Sequence, residues 1–124
     1  MRLENKTAII TGAGGGIGGA VASAFARQGA RLVCADINQA ALDETVSQID
    51  GAIGIVGDAG EEAHARDLVD AAKAEFGGVD VVVSCAIRDV PYLPVTELSV
   101  KDWQRSLDVN LTGYLLGCKY AIPH

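Results

Sequence analysis

The sequence predicts an α/β fold in which helices cover both faces of a parallel sheet. Short apolar runs alternate with stretches of helical periodicity along the chain. A glycine-rich turn at residues 12–19 follows the first apolar run and opens the first helical pattern. The fourth apolar run, 79–84, is almost continuously apolar, which is typical of a strand covered on both faces. Right-handed crossovers then favour the strand order 3-2-1-4 in a doubly wound, three-layer αβα arrangement.

Each predicted element follows from apolar spacing and from the residues that can begin or end it. The predicted strands are 7–11, 31–35, 52–56 and 79–84. The predicted helices are 16–28, a second that follows its cap Asn38 and ends at Gly51, a third that ends at Gly77, and a last that begins at Ser99 and ends near Pro123. The third helix should turn Leu68, Val69, Ala72 and Phe76 inward. Along one side of the last helix, helical spacing relates Trp103, Leu107, Asn110, Tyr114 and Cys118.

The glycine-rich turn predicts a site for the pyrophosphate of a dinucleotide. Glycine lets the backbone approach a phosphate closely, and the helix that follows offers free N–H groups and the positive end of its dipole. The second strand ends at Asp36, whose carboxylate can accept hydrogen bonds from ribose hydroxyls and would repel a 2′-phosphate. No Arg or Lys lies within 12–19 or directly after Asp36, so the sequence favours NAD over NADP. The alternative interpretation of the glycine-rich turn is a plain surface loop, and the alternative interpretation of Asp36 is a helix-capping acid.

Composition narrows the possible partners and the compartment. The 124 residues carry a net charge of −6 without a basic cluster, which argues against nucleic-acid binding. No apolar run is long enough to cross a membrane, and no apolar leader segment follows Met1. Three widely spaced cysteines predict neither disulfides nor a metal site but small buried side chains in the cytoplasm. Both histidines, His64 and His124, are expected on the surface.

Several motifs in the same order resemble the short-chain dehydrogenase/reductase family, whose fold is Rossmann-type. Thr11-Gly12-x-x-x-Gly16-x-Gly18 is similar to the cofactor motif of that family, and the segment 103–113 resembles the part that holds the Asn of its catalytic tetrad. The resemblance implies hydride transfer between NAD and a secondary alcohol or ketone, in a homo-oligomer, with Asn110 as the catalytic Asn. It implies these cofactor-binding residues: Gly12, Gly15, Gly16, Ile17, Gly18, Asp36, Ile37, Asp58, Ala59 and Ala86.

Two departures from the family pattern leave a second interpretation open. Where the family has Asn-Asn-Ala-Gly, this chain has Ser84-Cys85-Ala86-Ile87, and one interpretation of the difference is a one-residue deletion. The catalytic Ser and the Tyr-x-x-x-Lys pair of the family would lie after His124, so we expect residues 1–124 to be the cofactor-binding half, truncated after the helix that carries Asn110. The fourth strand is then expected to be an edge, with the last helix partly exposed. The alternative function is an NAD-binding fragment or degenerate relative that catalyses nothing.

Overall fold

A computed structural model describes all 124 residues and places four parallel strands in one sheet with the order β3-β2-β1-β4. The strands are β1 (Thr7–Thr11), β2 (Arg31–Asp36), β3 (Ile53–Val56) and β4 (Val81–Ser84). The helices are α1 (Gly16–Arg27), α2 (Gln39–Ser47), α3 (Glu62–Phe76), α4 (Val100–Leu107) and α5 (Gly113–Ala121), with a π-helical turn (Asp108–Thr112) joining the last two. The predicted fold class and strand order are confirmed.

Alternate residues of the central strands supply two cores, one on each face of the sheet. Ile10 in β1 and Cys34 in β2, which are register partners, face α1 and α2 and pack with Ala22 and Leu42. Their neighbours Ile9 and Val33 face the opposite layer. There the side chains of α3 and α5 that cover them are Leu68, Val69, Ala72 and Ala121. The inward face predicted for α3 is therefore confirmed, with Phe76 packed at its margin.

The ends of the elements differ from prediction where side chains or turns satisfy the backbone first. Asp80 precedes β4 because its carboxylate accepts a hydrogen bond from the Thr7 N–H at 2.8 Å and pairs with Lys6 at 3.1 Å. The second helix ends at Ser47 rather than Gly51, because the N–H groups of Gln48 and Ile49 donate to carbonyls three residues earlier instead of continuing the α-helical pattern. The predicted caps Asn38 and Ser99 each accept a backbone N–H, and Gly77 ends α3 in the left-handed conformation.

Strand β4 is less covered than its apolar sequence predicts. It pairs with β1 alone, which leaves its other edge without a neighbouring strand. Val81 and Val83 pack against the α1–α2 core, whereas Val82 is partly exposed on the α5 face. The residue of α5 opposite Val82 is Gly117, which has no side chain to cover it.

A π-helical turn interrupts the last helical stretch between α4 and α5. A π-helical turn bonds i to i+5 and so holds one more residue than an α-helical turn, which shifts the phase of the residues that follow. Trp103 before this turn and Tyr114 and Cys118 after it, which helical spacing related along one side of the predicted helix, are all substantially exposed. The buried residues of α5 are instead Leu116 and Ala121.

The three cysteines lie in different environments and all are free. Cys34 is buried in the core, as predicted, and burial raises the pKa of its thiol to about 11. Cys85 is half-buried and Cys118 is exposed, so the expectation of small buried side chains is wrong for Cys118. Across the described residues, none of the helices has both the length and the apolar character needed to cross a lipid bilayer.

Candidate functional site

A cleft of about 210 Å³ opens where the loops after all four strands converge. In parallel sheets, this carboxyl edge is where ligands bind. Seven of the predicted cofactor-binding residues line the cleft: Gly12, Gly15, Asp36, Ile37, Asp58, Ala59 and Ala86. Gly16, Ile17 and Gly18 form the adjoining first turn of α1, and Asn110 follows Val109, which lines the cleft itself.

The glycine turn is tightly packed on one side and open on the other. Gly12 has φ +67°, and a Cβ there would lie 2.7 Å from the Ala86 nitrogen. A Cβ on Gly18 would overlap the Gly12 carbonyl, 2.6 Å from its carbon. Gly16, by contrast, has no atom within 4 Å of its Cβ position. The first N–H groups of α1 lack helical partners, so this open side combines space with backbone donors.

Bonds from two neighbouring elements, β2 and α2, fix the shape of the turn. The Ala13 N–H donates to the Ala35 carbonyl at the end of β2, at 2.9 Å. The Gly14 N–H donates to Asp36 Oδ2, also at 2.9 Å. From α2, the Thr45 hydroxyl donates to the Ala13 carbonyl at 2.9 Å. The turn is therefore held in place by the protein before any ligand binds.

The Asp36 carboxylate joins this turn to the start of α2. One oxygen accepts the Gly14 N–H and the other accepts the Asn38 N–H, both at 2.9 Å. Asp36 thus bonds the N–H of Asn38, the residue that caps α2, and the alternative that Asp36 is itself the helix cap is wrong. Because each carboxylate oxygen accepts two hydrogen bonds, Asp36 keeps acceptor capacity toward the cleft that it lines. Ile37 beside it is largely exposed.

The loop after β3 meets the π-helical turn at two glycines. Asp58 Oδ1 accepts the Gly60 N–H at 2.8 Å, which closes a local turn. A Cβ on Gly60 would lie 3.1 Å from Asp108, and one on Gly113 would lie 2.9 Å from the Ala59 carbonyl oxygen. The loop that carries Asp58 and Ala59 is therefore seated directly on the helical stretch that carries Asn110.

Asn110 uses both ends of its amide to hold the loop after β4. Its Oδ1 accepts the Arg88 N–H at 2.9 Å, and its Nδ2 donates to the Arg88 carbonyl at 2.7 Å. The same Nδ2 also donates to the hydroxyl of Ser106, at 3.0 Å, and that hydroxyl donates to the Arg88 carbonyl. Asn110 therefore positions backbone that lines the cleft.

The segment Ser84-Cys85-Ala86-Ile87 stays close to the glycine turn despite its altered sequence. The Cys85 N–H donates to the Thr11 carbonyl at 3.1 Å, and the Ala86 N–H contacts the Thr11 hydroxyl at 3.4 Å. Thr11, at the end of β1, thus ties the loop after β4 to the turn after β1. Cys85, Ala86 and Ile87 all line the cleft.

His64 is the functional candidate that the sequence placed wrongly. It was expected on the surface, but it is 93% buried, at 7% exposure, and lines the cleft beside Asp58. Its spacing carried the signal, because His64 precedes Leu68 by four residues and Ala72 by eight, which puts it on the buried face of α3. Thr11, Arg88 and Val109 also line the cleft without having been predicted to bind there.

No Tyr and Lys within these residues form a catalytic pair. The Tyr114 hydroxyl donates to the Ser84 carbonyl at 3.1 Å. Lys119 pairs with Glu62 on α3 at 2.7 Å, and the same Glu62 oxygen accepts the Tyr120 hydroxyl at 2.5 Å. These contacts hold the pKa of Glu62 below its usual range and raise that of Lys119. The three side chains tie α5 to α3.

Comparison with known proteins gives one consistent result. The family model described as "short chain dehydrogenase" matches residues 6–124. The chain is 39% identical to D-threitol dehydrogenase of Mycolicibacterium smegmatis over 96% of its own length and 47% of that protein. It is 38% identical to glucose 1-dehydrogenase 2 of Bacillus subtilis, over 98% of its length and 49% of that protein.

A solved structure agrees with the sequence matches. The crystal structure of a short-chain dehydrogenase/reductase from Brucella melitensis, described as glucose/ribitol dehydrogenase, superposes with a TM-score of 0.92 at 36% identity. The match covers 99% of this chain and 53% of that one. The chain thus spans about half the length of the relatives it matches.

Proposed function

The chain belongs to the short-chain dehydrogenase family, and on that premise we propose that residues 1–124 bind NAD as the cofactor-binding half of an oxidoreductase. The reaction we propose is hydride transfer between the nicotinamide and a secondary alcohol or ketone. The observation that carries the proposal is the geometry of the glycine turn. Gly18 packs closely on the Gly12 carbonyl, the space beside Gly16 is open, and the Gly14 N–H donates to Asp36. When bound, the nicotinamide supplies the hydride chemistry, and the residues described here bind and orient the dinucleotide.

The cleft divides into two proposed regions. Gly12, Gly15 and the first turn of α1, Gly16 to Gly18, would hold the pyrophosphate, since the open side of this turn joins free N–H groups to space. Asp36 and Ile37 would hold the adenosine ribose, and Asp58 and Ala59 the adenine. Ala86 would lie against the cofactor from the loop after β4. The residues present therefore fit a dinucleotide.

We propose NAD rather than NADP because of the charge at Asp36. Its free acceptor capacity suits two ribose hydroxyls, whereas a 2′-phosphate beside it would meet a like charge. Neither the glycine turn nor the residues directly after Asp36 include a cation. The cation of the cleft, Arg88, is on the loop after β4.

We propose Asn110 as a positioning residue for the reaction. Every side-chain hydrogen bond of Asn110 in the structure is made to Arg88 or Ser106. By holding the loop after β4 on the π-helical turn, it would fix the wall of the cleft against which a cofactor lies.

A second candidate function is an NAD-binding chain that catalyses nothing. The observation in its favour is the engagement of Tyr114 with the Ser84 carbonyl and of Lys119 with Glu62, which leaves these residues without a free Tyr–Lys pair. A tyrosine hydroxyl, with an ordinary pKa near 10, needs such a partner to exchange a proton readily near pH 7. Turnover of NAD by the 124-residue chain with a panel of alcohols would exclude this candidate.

Titration calorimetry with NADH and NADPH tests the cofactor proposal on a sample of verified intact mass. The wild-type chain should bind NADH saturably and more tightly than NADPH. Asp36→Ala should weaken NADH binding roughly 10- to 100-fold, because hydrogen bonds to a charged group are lost, and should narrow the preference over NADPH. Asp50→Ala, which removes the same charge from an exposed position, is the control. Absent NADH binding by the folded wild-type chain would overturn the cofactor proposal, and unchanged affinities in Asp36→Ala would overturn the ribose assignment.

We also propose a cytoplasmic homo-oligomer. The three free cysteines fit a reducing compartment. The exposed apolar side chains Trp103, Leu111 and Leu115 on the last helical stretch favour contact with another copy. Sedimentation velocity at several concentrations tests the assembly, and Leu111→Ser with Leu115→Ser should shift it toward monomer.

A further inference from the structure

His64 forms part of the wall between two cavities. It lines the cleft described above and a smaller, mostly apolar cavity that Ala59 and Val109 also line. Its ring lies against the backbone of Gly57, where a Cβ would come within 2.7 Å of the ring carbon Cγ. The position of the ring is thus set by the end of β3 and by the first turn of α3.

The imidazole nitrogens have no partner within the protein. His64 makes no hydrogen bond, yet no fully buried side-chain nitrogen or oxygen is left without one. The two ring nitrogens of His64 are unpaired and therefore cannot be fully buried. The 7% of the residue that remains exposed must include them. His64 is thus a buried side chain with unpaired ring nitrogens in the wall of the cleft, and such a group is available to a ligand.

The charges around His64 come mainly from its own loop and helix. Asp58 and Glu61 precede α3, and Asp67 is one turn along it. Across the cleft lie Asp36 and Arg88, while the π-helical turn contributes the neutral Val109. Burial is the largest influence and lowers the pKa of His64, against the three carboxylates that raise it. The ring is therefore neutral near pH 7.

We propose that His64 is an additional nucleotide-contacting residue, which hydrogen-bonds through its neutral imidazole to the adenosine half of the dinucleotide. The inference rests on the proposed function. A neutral imidazole offers one N–H donor and one nitrogen acceptor, and adenine offers ring-nitrogen acceptors beside an amino donor. Asp58 and Ala59, proposed to hold the adenine, share the cleft wall with His64.

Dinucleotide affinity should consequently depend on pH. Contact with the adenosine removes the ring from water and satisfies its neutral form, so binding lowers the pKa of His64 further. By linkage, affinity is highest above the pKa of the free protein and falls as pH drops through it. Each unit by which binding lowers that pKa corresponds to a loss of up to about tenfold in affinity at low pH.

Calorimetric titration with NAD⁺ at pH 7.5 and at a pH below the His64 pKa of the free protein, which the NMR titration described below gives, tests the inference. The wild-type chain and His124→Gln, which alters the other histidine, should bind several-fold more weakly at the lower pH. His64→Gln should lose this dependence, and His64→Leu should bind roughly three- to tenfold more weakly at pH 7.5 because the hydrogen bond is lost. Retained pH dependence in His64→Gln, or wild-type affinity in His64→Leu, would overturn the inference.

A second measurement does not depend on the variants folding. Because the chain has only two histidines, NMR titration can follow His64 with and without saturating NAD⁺. The pKa of His64 should fall on binding while that of His124 stays constant, and an unchanged His64 would overturn the inference. If the wild-type chain binds no NAD⁺ at pH 7.5, the proposed function fails and this inference with it. Binding with an unaltered His64 overturns the inference alone.

Discussion

Alanine substitutions at Gly18 and Gly16 should have opposite effects on the stability of the chain. Both glycines lie in the first turn of α1, two residues apart, so the chemical change and the helix are the same. The Cβ of Gly18→Ala would lie 2.6 Å from the Gly12 carbonyl carbon, against the ~3.5–4.0 Å of an ordinary carbon contact. The neighbour is backbone, which cannot rotate away, so the turn or the helix must move by about 1 Å.

Overpacking of this kind costs about 1–3 kcal/mol, and the better helix propensity of Ala offsets up to about 1 kcal/mol of it. We therefore expect Gly18→Ala to lower the free energy of unfolding by about 2 kcal/mol. Gly16→Ala meets no atom within 4 Å, so the free energy of unfolding should stay constant or rise by up to about 1 kcal/mol. Its methyl group would nevertheless stand on the open side of the turn, where we propose that the pyrophosphate binds.

Urea denaturation followed by circular dichroism measures the first effect, and titration with NADH measures the second. Gly18→Ala should lose stability, while Gly16→Ala should keep stability and lose NADH affinity. Equal stability of the two variants would refute the argument that the turn is closed against Gly18. Full NADH affinity in Gly16→Ala would refute the argument that the open side receives the ligand.

Three further predictions concern the rest of the chain. Asn110→Ala removes the bonds that hold the loop after β4 and should lower the free energy of unfolding by about 1–3 kcal/mol in urea denaturation, a loss that an unchanged midpoint would contradict. A thiol reagent at pH 8 should modify Cys118 first and Cys34 last, as peptide mass spectrometry can show, because Cys34 is buried with a pKa of about 11; equal rates would contradict the burial. Because the pKa of Glu62 is lowered in the folded chain, its ionised carboxylate adds stability above the unfolded pKa of about 4.3, and this stability is lost as pH falls through the folded pKa. The urea midpoint of Glu62→Gln should therefore change less between pH 6 and pH 3 than that of the wild-type chain. Identical pH profiles would refute the link to Lys119.

The elements that local chemistry decides could be predicted from the sequence. The glycine turn, the caps at Asn38 and Ser99 and the stop at Gly77 each depend on a few neighbouring residues, and the structure has all of them. The strand order is favoured by right-handed crossovers together with a doubly wound arrangement that has helices on both faces of the sheet. These features required no knowledge of distant contacts.

The features that failed depend on residues far apart in the chain. The π-helical turn contains Asn110, whose side chain bonds to Arg88, 22 residues earlier in the chain. A local sequence pattern therefore does not predict this turn. His64 is the exception, because its spacing from Leu68 and Ala72 already indicated the buried face of α3, and its ring packs against the nearby Gly57. Asp80 precedes β4 because it bonds to Thr7 at the start of the chain.

The way the glycine turn is held has a consequence for protein engineering. Its shape is set by bonds from Ala35 and Asp36 at the end of β2 and from Thr45 in α2, and by the contact with Ala86. A graft of the turn alone onto another scaffold would carry the glycines but none of the groups that hold them. The smallest transferable unit is the segment from β1 through α2 with a strand like β4 beside it. Designers who want to reproduce the shape of this turn should move that unit as one piece.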